Sequence, residues 1–121
     1  MTVATTQSRI DQRPDYVQRF VKASQEGWYN YLHKDPSLGN ALIKQKNPEM
    51  GDDELAFAIK AIRELGLVEG GDAGTQGIGA MSGARWTDFY GAMVEAGVLP
   101  EGLDVSKAYT LKFVNQGASK P

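Results

Sequence analysis

Hydrophobic side chains recur at helical spacing in four stretches of the chain, and proline or glycine separates these stretches. The first begins at Pro14, a residue suited to the first turn of a helix, and Asp15 follows near the positive end of the helix dipole. It ends near Lys34. The pattern predicts one long amphipathic helix, whose apolar positions are Tyr16, Val17, Phe20, Val21, Trp28, Tyr31 and Leu32.

Two shorter helices are predicted next. The first follows Asp35 and Pro36, a capping residue before a helix-opening proline, and "KNPEM" is expected to end it. The second is expected to have Asp52 or Asp53 as its cap and to stop at Gly66. Each has one apolar side, formed by Leu38, Ala41, Leu42 and Ile43 in the first and by Leu55, Ile59, Ile62 and Leu65 in the second.

A fourth helix and at most two short strands complete the prediction. Ser82 is expected to cap the helix and Gly97 to end it. The β-branched run "TVAT", residues 2–5, predicts one strand before the polar run of residues 7–12. Residues 109–114 fit either a second strand or a docked turn. The fold class is therefore mostly α, with a frayed tail over residues 116–121.

Composition narrows the function classes. With 121 residues the chain is expected to form one domain. Thirteen basic and fifteen acidic side chains give a net charge of −2, which offers no electrostatic footprint for a nucleic-acid partner. The chain has no cysteine, so disulfides and cysteine-based metal sites are excluded. The first ten residues do not resemble a signal peptide. We therefore expect this chain, expressed alone, to stay in the cytoplasm.

The segment "GGDAGTQGIGAMSGARW", residues 70–86, is called the glycine segment below. Gly77 and Gly79 begin a dinucleotide fingerprint, but Gly83 comes one residue too late to complete it. A mostly helical chain also lacks the parallel sheet on which such sites are built. A phosphate on the N-terminus of the helix after Ser82 remains physically open. The favoured interpretation is a turn that lets backbone pack closely, and a small enzyme built on this segment is the minor alternative.

Three further groups of residues are candidates for a functional role. His33 is the only histidine, so it cannot form a histidine metal cluster, and we expect it to lie near a helix end. Asp52, Asp53 and Glu54 are explained by the dipole of the helix that they begin. Core packing is favoured over ligand stacking for the aromatic set, namely Trp28, Tyr29, Tyr31, Trp86, Phe89 and Tyr90. The residues predict no catalytic group, metal site or cofactor.

Three runs, in this order, resemble the C-terminal part of substrate-binding proteins of ABC importers, in the group that binds nitrate, sulfonates, taurine and thiamine precursors. The runs are "RPDYVQRFVKASQEGWYNYL", "NALIKQKNPEMGDDELAFAIKAI" and "GIGAMSGARWTDFYGAMVEAGVLPEGLDVSKAYTLKFVN". The resemblance extends from about Thr5 to Asn115. It assigns no ligand-binding residue to a numbered position.

The resemblance implies a periplasmic, two-lobed α/β protein that closes on a small ligand. Residues 1–121 would be a single partial domain of such a protein and would act as a non-catalytic helical scaffold. Its partners would be the remainder of the binding protein, a small organic ligand and, through the full protein, the ABC permease. The alternative is a stand-alone helical module that binds another protein or forms a homo-oligomer.

Overall fold

The computed structural model describes residues 2–117, which form six α-helices and one 3₁₀ turn. No strand occurs in these residues. The mostly α prediction is therefore confirmed, and the predicted short strands are wrong. The helices are α1 (Gln7–Gln12), α2 (Pro14–His33), α3 (Ser37–Lys46), α4 (Asp52–Glu64), α5 (Asp72–Gln76) and α6 (Gly83–Glu95), and the 3₁₀ turn is Val105–Lys107.

The starts of α2 and α6 are as predicted, whereas the predicted caps of α3 and α4 are not. α2 begins at Pro14 as predicted. The predicted cap and first residue of α3 are each one position too early, because Pro36 is the N-cap and Ser37 is the first helical residue, although the Asp35 carboxylate accepts a hydrogen bond from the backbone N–H of Ser37 at 2.9 Å. The Ser82 hydroxyl accepts from the backbone N–H of Arg85 and caps α6 as predicted. The predicted aspartate cap of α4 is wrong, because Gly51 is the N-cap and makes no side-chain capping bond.

Glycines end two of these helices. Gly66 after α4 has a φ of 60° and Gly97 after α6 has a φ of 69°. This left-handed conformation costs glycine little because it has no Cβ, and it turns the chain out of the helix. Both predicted helix ends are confirmed.

The predicted strands fail because a strand needs a partner for its backbone hydrogen bonds. Residues 2–5 are exposed and pair with no other segment of the described chain. The polar run that follows is helical instead, since the Thr6 hydroxyl accepts from the Arg9 backbone N–H and starts α1. Residues 109–114 form the docked turn, with Phe113 only 5% exposed. The last four residues of the predicted frayed tail, 118–121, lie outside the described residues.

The core is thin for a chain of this length. Its apolar members come from α2, α4, the glycine segment and the tail, while α3 and α6 contribute no buried residue. The solvent-accessible surface is 8682 Å², whereas a compact protein of 13.2 kDa exposes about 6,400 Å². Apolar surface that a compact domain would hide is therefore open to solvent. The buried apolar residues are Val17, Leu32, Leu55, Ile59, Ile78 and Phe113.

Candidate functional site

The glycine segment is fixed to α2 by a buried side-chain amide. Gln25, 6% exposed, donates from Nε2 to the carbonyl oxygen of Ile78 at 2.8 Å. Ile78 is itself buried at 5% exposure. A carbonyl that is removed from water without a hydrogen-bond partner costs about 1–3 kcal/mol. The bond from Gln25 offsets this cost for the Ile78 carbonyl.

The tail is attached to the same segment by Asn115. Its Oδ1 accepts from the backbone N–H of Met81 at 3.0 Å, and its Nδ2 donates to the carbonyl of Met81 at 2.8 Å. Asn115 has a φ of 60°, a conformation that asparagine tolerates better than most residues. The Gln18 amide donates to the carbonyl of buried Phe113 at 3.5 Å. The tail therefore bridges α2 and the glycine segment.

The glycines of the segment have structural roles in this arrangement. Gly77 and Gly79 have φ values of 99° and 80°, which side chains rarely adopt. A Cβ on Gly83 would lie 2.7 Å from the Tyr109 hydroxyl oxygen, so a larger residue there would have to displace the Tyr109 side chain.

A Cβ on Gly70 would lie 2.5 Å from the carbonyl oxygen of Gly66, so the predicted close backbone packing is present, but residues 72–76 form the helix α5, which was not predicted. The helix α4 precedes the segment, and α5 and the start of α6 lie within it, so the strand that a dinucleotide site requires before its glycine loop is replaced by a helix.

His33 is the last residue of α2, as expected for a histidine near a helix end. Its Nε2 lies 2.7 Å from Glu69 Oε1, and its ring lies 4.9 Å from the ring of Tyr29, measured between centroids. The sequence did not predict the Glu69 partner, which follows α4. The pair connects the C-terminal end of α2 to the residues between α4 and the glycine segment.

The acidic group at the start of α4 is exposed, so the dipole explanation is sufficient. Asp52, Asp53 and Glu54 all lie in the first helical turn. Lys44 of α3 forms an ion pair with Asp52. Within residues 2–117, no group of three His, Cys, Asp or Glu side chains could hold a metal ion.

The aromatic set connects helices to neighbouring loops rather than forming a closed core. The Trp86 ring stacks on Tyr109 at 5.2 Å between centroids, with 4° between the planes. The Tyr90 hydroxyl donates to Pro100 O and accepts from Leu103 N. Phe89 is 57% exposed, so the core prediction is wrong for this residue. The other members, Trp28, Tyr29, Tyr31, Trp86 and Tyr90, are half-buried.

One open depression of about 430 Å³ has the volume of a small-ligand pocket. Its charges already have partners, however: the Arg63 guanidinium donates to the Leu32 carbonyl, and Lys60 lies 3.8 Å from Glu64. These contacts account for the charged lining of the depression without a ligand. The lining residues are Pro36, Ala56, Ile59, Lys60, Arg63 and Glu64.

The most distinctive functional feature is the exposed apolar surface. Large apolar side chains on α3, α4 and α6 and after α6 are more than half exposed, and exposed apolar side chains mark binding surfaces where they are contiguous. Such surfaces bind partners rather than carry out chemistry. Examples are Leu38 at 74%, Phe57 at 73%, Leu65 at 70%, Val98 at 64% and Phe89 at 57%.

Sequence reasoning overlooked Gln25 and Asn115, although a signal existed for the first. Gln25 occupies a position on the apolar stripe of α2, spaced four residues after Val21 and seven before Leu32. A polar residue on such a stripe indicates a buried hydrogen-bond donor that has a specific partner.

Comparison with known proteins gives one informative relative. No family profile and no solved structure matches the chain, and none of the described helices is both long and apolar enough to cross a membrane. The riboflavin-binding protein RibY of Chloroflexus aurantiacus is 30% identical over 117 residues, which are 96% of this chain and 33% of that protein. The chain thus spans about a third of this relative's length, and it is distantly homologous to a protein that binds a small organic ligand.

Proposed function

We propose that the chain is a non-catalytic part of an ABC-transporter substrate-binding protein and serves as a helical scaffold for a small-ligand site. The observation that carries this proposal is the similarity to RibY, which runs through 96% of the chain without being confined to one motif. The proposed setting is the periplasm, with the permease as a partner of the full protein.

The exposed surface supports the same proposal. The chain exposes about a third more surface than a compact protein of its mass, and the excess exceeds the roughly 800 Å² that each partner of a standard interface buries. A large folded partner, such as the rest of a binding protein, can cover an area of this size. A short peptide cannot.

Riboflavin is the first ligand to test, because the relative's name states that it binds riboflavin. The resemblance seen in the sequence points instead to sulfonates, nitrate or thiamine precursors. The two proposals differ in chemistry, since the flavin ring is large and aromatic whereas nitrate and taurine are small and polar. One titration series can therefore separate them.

The test is a binding titration of the chain alone and of the chain mixed with the rest of the Chloroflexus protein. Quenching of flavin fluorescence reports riboflavin, and calorimetry reports taurine, nitrate and a thiamine precursor. We expect saturable binding of one ligand by the mixture and little by the chain alone. A mixture that forms a stable complex but binds none of these ligands would contradict the scaffold role.

The second candidate is an interaction module without a transport role, and the exposed apolar side chains favour it equally. It predicts a defined complex with another protein or with itself, and no response to the rest of the Chloroflexus protein. Co-elution of the two parts at a one-to-one ratio would exclude this alternative.

A further inference from the structure

α3 is attached to the molecule along one side only. Gly39 packs under the Tyr31 ring, where a Cβ would lie 2.8 Å from a ring carbon. The Tyr31 hydroxyl donates to Asn40 Oδ1 at 2.8 Å. On the opposite side Leu38 is 74% exposed and Leu42 is 54% exposed, and no residue of α3 is buried. The outer side of α3 is therefore an unpartnered apolar face.

This face has opposite charges at its two ends. Leu38, Leu42 and Lys46 are spaced by four residues and share one side of α3, and Asp35 lies two residues before the helix begins at Ser37. We call these four residues the α3 stripe. The Asp35 carboxylate accepts a hydrogen bond from the Ser37 backbone N–H, but neither Asp35 nor Lys46 is paired with an opposite charge within the described residues.

The α3 stripe is complementary to itself. When two copies are aligned antiparallel about a two-fold axis near the middle of α3, Leu38 faces Leu42 of the second copy. The same alignment brings Asp35 opposite Lys46 of the second copy, at both ends of the pair. A parallel alignment would place like charges together and would repel. Two-fold interfaces use one patch twice, and the stripe meets this requirement.

We propose that a second copy of this chain docks on the α3 stripe and forms an antiparallel two-fold dimer. One helix pair buries less than the roughly 800 Å² per partner of a standard interface, so the dimer is weak and reversible. We expect dissociation constants on the order of 0.1–1 mM. The proposal goes beyond the substrate-binding role and does not depend on it.

The first experiment measures association by sedimentation equilibrium from about ten micromolar to one millimolar chain. Leu42→Lys places a charge at the centre of the stripe and is expected to weaken dimerisation at least about tenfold. Leu67→Lys is the matched control, because Leu67 is a leucine with 67% exposure that lies outside α3. The control should associate like the natural chain. A chain that stays monomeric at one millimolar, or equal association of both variants, would overturn the proposal.

A charge exchange tests the alignment itself. Lys46→Glu makes both ends of the stripe acidic, and Asp35→Lys makes both ends basic. Each variant alone should dimerise several-fold more weakly than the natural chain, and an equimolar mixture should recover association as a heterodimer. Circular dichroism of Asp35→Lys checks that α3 persists without the Asp35 to Ser37 bond. If the mixture associates no better than the separate variants, the antiparallel pairing is wrong.

Because the chain has no cysteine, a single Ala41→Cys offers a third readout. Ala41 is exposed and lies within about a residue of the proposed axis. A short bis-maleimide should link two copies at this position, and far less product is expected from a cysteine at exposed Ala56. Riboflavin titration of Leu42→Lys mixed with the rest of the Chloroflexus protein separates this proposal from the ligand-binding one, since losing the dimer should leave ligand binding by the mixture unchanged.

Discussion

Two regions of the molecule use apolar side chains in opposite ways. Where α2 meets the glycine segment and the tail, the apolar residues are buried and side-chain amides satisfy the backbone groups between them. α3 has leucines at similar helical spacing, yet none of its residues is buried. The same local pattern therefore yields a core in one place and an interaction surface in the other. The difference is whether another segment of the chain reaches the apolar face.

The largest expected change in stability distinguishes the buried region around α2 from the exposed face of α3. Leu32 is 1% exposed, so Leu32→Ala should destabilise the fold by about 2–5 kcal/mol through lost transfer energy and a cavity. Leu38→Ala removes the same atoms from a 74% exposed position and should change the free energy of unfolding by less than about 0.5 kcal/mol. Urea denaturation of both variants measures the contrast. Equal destabilisation would show that the face of α3 is not open in solution.

Two glycine-to-alanine substitutions should change the free energy of unfolding in opposite directions. Gly79 has a φ of 80°, so Gly79→Ala should destabilise the fold by about 1–2 kcal/mol through backbone strain. Gly91 lies inside α6 and a Cβ there would meet no atom within 4 Å. Gly91→Ala should therefore stabilise by about 0.5–1 kcal/mol. Thermal melts of the two variants measure this, and a neutral Gly79→Ala would contradict the turn described here.

The tail attachment is expected to contribute less than the core. Asn115→Ala removes two hydrogen bonds to Met81 and should cost roughly 1–2 kcal/mol. Hydrogen exchange at the Met81 amide should accelerate in the same variant, because its acceptor is lost. Gln116→Ala, at the exposed neighbouring position, is the control and should leave this exchange rate nearly unchanged. Unaltered protection in Asn115→Ala would mean that the tail does not close over the segment.

The smallest effect concerns pH. Hydrogen bonds from the Ser106 hydroxyl and from Lys107 hold the pKa of Asp104 below the ordinary aspartate value. A lowered folded-state pKa adds stability above the unfolded-state pKa of about 3.9, and this stability is lost as pH falls through the folded-state value. Asp104→Asn should thus lower the melting temperature slightly at pH 7 and not at pH 2. If the melting temperature of Asp104→Asn is also lower than that of the natural chain at pH 2, the effect comes from packing and not from the charge of Asp104.

The sequence determined the long helices because their limits depend on neighbouring residues. Pro14, Ser82, Gly66 and Gly97 act within one helical turn, and all four stand where the pattern placed them. Residues 2–5 and 109–114 have strand-like composition, but no partner segment lies beside them in the described chain. Strand formation depends on distant residues, which a local pattern does not contain.

The candidate site was less predictable for the same reason. Whether Leu38 or Phe57 is exposed depends on whether another segment of the chain covers it. The helical spacing of apolar residues is the same for a buried face and for an exposed face, so the spacing does not distinguish them. The glycine segment could be judged from spacing, since Gly83 breaks the dinucleotide fingerprint within the sequence itself. The attachments through Gln25 and Asn115 join residues 53 and 34 positions apart, beyond the range of local motifs.

The buried Gln25 amide has a consequence for the choice among alternative packings. Purely apolar faces can slide or rotate against each other at little cost, and several registers of α2 would bury similar areas. A shift of α2 by one turn would separate Gln25 from the Ile78 carbonyl and leave both groups dry and unpaired. One hydrogen bond thereby penalises each competing register and favours the arrangement in which Gln25 meets Ile78.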